Sequence, residues 1–66
     1  MRACINGEHY DLPDGLTVAQ VLEHLETPSR GVAVAKNDRV VRRSAFSEEP
    51  VRDGDRIEII KAVAGG

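Results

Sequence analysis

The chain has 66 residues, a net charge of −2 and a single cysteine, Cys4. That length allows one domain, burying only about 60% of the surface its unfolded chain exposes, and one cysteine excludes an internal disulfide or an all-cysteine metal site. Scattered basic residues, with Tyr10 and Phe46 as the only aromatics, argue against phosphate-driven nucleic-acid binding or base stacking.

The first residues hold no apolar run of signal-peptide length, so no secretory leader is expected. The longest apolar stretch, Val32-Ala33-Val34-Ala35, is far too short to span a bilayer. The expected setting is cytoplasmic, without membrane or nucleic-acid partners, and the expected state alone is a monomer. A lone thiol fits a reducing compartment.

Residues 1–5 read as a strand, with Met1, Ala3 and Ile5 on one face and Arg2 and Cys4 on the other. Asn6-Gly7 is a strong hairpin signal, because both central residues of a type I′ turn need positive φ. Residues 8–12 return as a second strand, with Tyr10 and Leu12 sharing a face. Pro13-Asp14-Gly15 then supplies turn chemistry.

Thr17 opens a helix predicted over about 17–26, and Gln20 stands where the reciprocal partner of a capping box belongs. Val18, Val21, Leu22 and Leu25 fall within about 100° of arc and form one apolar stripe. Gln20, Glu23 and His24 face away from it. Pro28 is expected to stop the helix.

Gly31 precedes a third strand, Val32 to Lys36, whose apolar run suggests a central strand covered on both faces. Asn37-Asp38 turns the chain into a short fourth strand at Val40-Val41. Residues 43–54 form an irregular connection with one helical turn near 44–48, anchored by Phe46 and Val51. After the Asp53-Gly54 turn, Arg56 to Ala62 form the last strand, with Ile57 and Ile59 alternating against Glu58 and Ile60.

One helical stripe can be buried only against a sheet in such an element list. The fold class is α+β: a β-grasp, ubiquitin-like mixed sheet of about five strands, one main helix and a short helical turn. The last strand returns beside the first. The predicted division is a globular unit over 1–62 and a flexible tail over 63–66.

The sequence closes with Gly65-Gly66. A terminal glycine bears its α-carboxylate on a carbon without a side chain, so nothing shields it from a nucleophile. Two glycines also permit backbone conformations suited to a narrow channel. Such a tail suits chemical activation of its own carboxylate; a frayed end is the alternative.

These segments together resemble a known family. Ile5-Asn6-Gly7-Glu8, Gly31-Val32-Ala33-Val34-Ala35, Val40-Val41-Arg42-Arg43-Ser44 leading to Phe46, Asp53-Gly54-Asp55-Arg56-Ile57 and Ala64-Gly65-Gly66 resemble, in order, the thiamine-biosynthesis sulfur carriers (ThiS). The likeness covers essentially the whole chain. Phe46 stands where the family often has tryptophan, and Lys36 where an apolar residue is more usual, as at an exposed strand end.

The resemblance implies a carrier and co-substrate rather than an enzyme, with no catalytic residue, bound cofactor or metal of its own. An E1-like adenylyltransferase of the ThiF type, using ATP and magnesium, would adenylate the carboxylate of Gly66. Sulfur from a cysteine desulfurase route would convert it to a thiocarboxylate. A thiazole synthase of the ThiG type would then accept the sulfur. Val63, Ala64, Gly65 and Gly66 would enter partner active sites. In keeping with this, the chain has no phosphate-binding loop, since Gly15-Leu16-Thr17 is too short to make one.

Other residues are weaker candidates. Cys4 has no histidine or second cysteine next to it in sequence and reads as a small strand residue rather than a relay thiol. His9 and His24 lie on different elements and make a poor metal pair. Arg42-Arg43 reads as a solvated turn, or as a grip on a partner's anionic group. Ile60, with Ala62, is the candidate docking patch on the sheet face that one helix leaves open. Alternative functions are a molybdopterin-type sulfur carrier, a ubiquitin-like protein modifier, or an RNA-linked regulatory β-grasp module suggested by Leu12-Pro13-Asp14-Gly15-Leu16-Thr17-Val18.

Overall fold

The computed structural model describes residues 1–61. Strands β1 (Arg2–Ile5) and β2 (Glu8–Asp11) form the first hairpin, followed by helix α1 (Val18–His24). Strands β3 (Val32–Lys36) and β4 (Arg39–Val41) form the second hairpin, followed by a 3-10 turn (Arg43–Ala45) and strand β5 (Arg56–Lys61). The sheet has five strands in the order β2-β1-β5-β3-β4. Strand β5 runs parallel to β1 and antiparallel to β3, so the sheet is mixed and its last strand is central. This is the β-grasp arrangement expected from the element order.

Helix α1 has only seven residues, too few to be stable alone in water. Its start is fully hydrogen-bonded. Thr17 and Gln20 form the capping box, with the Gln20 N–H donating to Thr17 Oγ1 and the Thr17 N–H to Gln20 Oε1. The Val18 and Ala19 N–H groups donate to the carbonyls of Glu49 and Phe46, both at 2.9 Å. The irregular connection therefore supplies acceptors for amides that have none inside the helix.

The helix is shorter than the 17–26 prediction, for a definite reason. Leu25 caps it, and Glu26 takes a left-handed φ of 54°. The Glu26 N–H then donates to the Glu23 carbonyl, and the Thr27 N–H to the Leu22 carbonyl. That pair of bonds is a Schellman motif, so the helix has closed before Pro28. The helical turn also begins earlier than 44–48, at Arg43–Ala45.

The core lies between α1 and one sheet face. Val18, Val21, Leu22, Ala3, Ile5, Val34 and Ile57 are buried there, and Phe46 and Val51 close the side, as their anchoring role predicts. Strand β3 departs from its prediction: Val32 and Val34 are buried but Ala33 is exposed. It is central by pairing yet covered on one face, because the single helix shields only that side. Lys36 is not an exposed strand end either. Its side chain is 17% exposed, and Nζ lies 2.6 Å from Glu49 Oε2 and donates to the Pro50 carbonyl at 2.7 Å.

Candidate functional site

The chemistry expected at Gly66 directs attention to the end of β5. Its residues alternate: Ile57 is buried and Ile59 half-buried on the helix side, whereas Glu58 and Ile60 are exposed on the open side. On one flank, Ala33 and Val32 of β3 pair with Ile60 and Lys61. On the other, β1 ends early; its last register partner is Ile5 opposite Ile57. Asn6 continues that flank. Its backbone N–H donates to the Ile57 carbonyl at 2.9 Å. Its side chain accepts from the Ile59 N–H at 2.8 Å and donates to the Ile59 carbonyl at 3.2 Å. A carboxamide thus stands in for one further strand residue. Val63, Ala64, Gly65 and Gly66 follow, and they lie outside the described residues, as does Ala62.

Ile60, the docking candidate within the described residues, is 62% exposed on the open face. Ala33 is its register partner on β3, and Ala35 pairs with Val40 of β4. Val40 is 81% exposed. The two alanines lie on the strand between these larger apolar residues, so Val40, Ala35, Ala33 and Ile60 make one shallow apolar tract beside the exit of β5. Val40 escapes sequence reasoning because Val40-Val41 does not say which valine faces inward. The register answers it: Val41 pairs with buried Val34.

Of the remaining candidates, Cys4 and His9 are brought together as cross-strand partners, and the others lie apart. Cys4 is half-buried on the open face, opposite His9 on β2 and Arg56 on β5. His24 is exposed at the end of α1, on a different element. Among the described residues, no three His, Cys, Asp or Glu side chains are grouped to hold a metal ion. Arg42 and Arg43 are exposed. No described helix is long and apolar enough to cross a membrane.

Comparison with known proteins agrees with the fold. The model of the ThiS family matches residues 2–66. The chain is 33% identical over 66 residues to the sulfur carrier protein ThiS of Escherichia coli, covering the full length of both. It is 38% identical, over its whole length, to part of a thiazole synthase of Paramagnetospirillum magneticum, of which it spans 20%. The crystal structure of the thiamine biosynthesis protein ThiS from Geobacter metallireducens superposes with a TM-score of 0.86 at 30% identity, covering both chains completely.

Proposed function

The chain belongs to the ThiS family, the sulfur carriers of thiamine biosynthesis, and from that premise we propose that Gly66 carries sulfur as a C-terminal thiocarboxylate. The observation that carries this reading is a family match running through Gly66, behind a strand held at the centre of the sheet.

A free carboxylate resists nucleophiles, so it must first gain a leaving group. In the proposed sequence, a Gly66 carboxylate oxygen attacks the α-phosphorus of ATP on an E1-like partner. Pyrophosphate departs and an acyl adenylate remains. The terminal sulfur of a donor persulfide, supplied by a cysteine desulfurase route, attacks the acyl carbon and AMP leaves. A second thiol then attacks the donor's sulfur in the acyl disulfide. This leaves the thiocarboxylate and a disulfide between the two thiols. ATP and magnesium belong to the activating partner, and this chain contributes the reacting carboxylate and no catalytic side chain.

The sulfur acceptor in this reading is a thiazole synthase. A protein of that name contains a stretch similar to the entire chain, which supports pairing the two activities. The tract of Val40, Ala35, Ala33 and Ile60 is the docking surface, with Ala62 extending it in sequence. Val63, Ala64 and Gly65 then bring Gly66 into each partner's active site. The cytoplasm is the proposed location.

Reconstitution with an E1-like adenylyltransferase and a desulfurase tests the tail chemistry. Removing Gly66, or adding one residue after it, is expected to abolish thiocarboxylate formation. Sulfur transfer by the extended, untrimmed protein would overturn the reading.

A further inference from the structure

Two asparagines hold β5, one near each end. Asn37 and Asn6 share a left-handed φ of 51°, a conformation asparagine tolerates better than most residues. At the start of β5, the Asn37 N–H donates to the Arg56 carbonyl at 2.7 Å, and Asn37 Oδ1 accepts from the Arg56 N–H at 2.9 Å. Near the end, the Asn6 carboxamide meets both backbone groups of Ile59. Both are hairpin-turn residues, and each has its side chain turned onto the same strand. Among the described residues they differ in place: Asn37 acts at the beginning of β5, whereas Ile59 stands seven residues before Gly66 in the sequence.

We propose that Asn6 is a positioning residue for the tail: its carboxamide fixes Ile59 and hence the point from which the last seven residues carry Gly66 into a partner. This rests on the carrier reading above. Without the carboxamide, Ile59 loses both partners on the β1 side, and Ile60 and Lys61 keep only β3. The strand end then frays into water, as low-protection segments do. A partner that grips Ile60 and acts at Gly66 needs a fixed span between them. Slack there lowers the effective concentration of the carboxylate at the reacting phosphorus, and small misplacements at a reaction centre cost much rate.

Asn6→Gly and Asn37→Gly are the matched test, because glycine accepts the left-handed turn without strain. Amide exchange, thermal stability and adenylation kinetics are measured on both full-length variants and on the parent protein. Asn6→Gly is expected to speed exchange at Ile59 and lower kcat/KM for adenylation by about tenfold. Asn37→Gly is expected to lower stability comparably and leave kcat/KM within about twofold. Equal kinetic losses in both variants would reduce Asn6 to an ordinary structural residue and overturn the proposal. So would an Asn6→Gly protein adenylated at the parent rate. A parent protein that is not adenylated at all would instead overturn the carrier reading, and the proposal with it.

Discussion

The α-ammonium of Met1 lies 2.7 Å from Oδ1 of Asp14 and also donates to the Leu12 carbonyl at 2.6 Å. This contact pins the start of β1 to the turn that follows β2. The hydrogen bond from the ammonium holds the Asp14 carboxyl below its usual range, and the same bond raises the ammonium above its own. The two shifts act at opposite ends of the pH scale. The ammonium's contribution to stability is complete below its unfolded value of about 8 and is lost as pH rises through the higher folded value. The Asp14 contribution is present above about 3.8 and is lost as pH falls through the lower folded value. Thermal melts from neutral to alkaline pH should therefore show falling stability above pH 8. Acetylating the amine should lower stability at neutral pH and remove that alkaline slope. Salt should weaken the effect, since the Asp14 side chain is exposed.

Glu26 closes α1 in a conformation that favours glycine. A left-handed backbone costs a non-glycine residue about 1–2 kcal/mol, offset in part by glycine's greater freedom in the unfolded chain. Glu26→Gly is expected to stabilise the protein by roughly 0.5–1 kcal/mol, with a rise in Tm of several degrees. Calorimetry of the two proteins checks this. An unchanged or lower Tm would mean that the Glu26 side chain contributes more than the relieved backbone.

Ile60 and Val40 present apolar surface to solvent while leaving the helix-side core to other residues. Replacing either by aspartate should change folding stability by less than about 0.5 kcal/mol, as for surface substitutions generally. The partners should respond differently. Ile60→Asp is expected to raise KM for the activating enzyme at least tenfold, and Val40→Asp to do so by a smaller factor, since Val40 lies two strands from β5. Steady-state adenylation with each variant measures both. Unchanged kinetics in both would remove the tract from the docking surface.

Much of the fold is legible in local signals. Asn6-Gly7 marks the first hairpin, Thr17 and Gln20 mark the helix start, and the Val18, Val21, Leu22 stripe marks its buried face. These succeed because one short-range requirement, a positive φ or an unpaired amide, selects few residue types. The helix end is harder to read, because Glu26 carries no sign of its left-handed backbone and Pro28 offers a plausible but later stop. Strand β3 misleads for another reason. Alanine is small enough for either face, so an apolar run cannot separate a strand covered twice from one covered once. The Asn6 clamp on Ile59 links residues 53 positions apart, and only the parallel pairing of β1 with β5 brings them together. The proposed reacting group is the reverse case: Gly65-Gly66 is read from the sequence and the family match alone.

The most direct test of the carrier role is the intact mass of the protein after incubation with ATP, magnesium, an E1-like adenylyltransferase and a desulfurase with cysteine. Exchange of a single oxygen for sulfur, mapped to Gly66 and discharged on adding thiazole synthase with its substrates, is the predicted result. A mass that stays unchanged, or branched conjugates to lysines in place of the exchange, would contradict it.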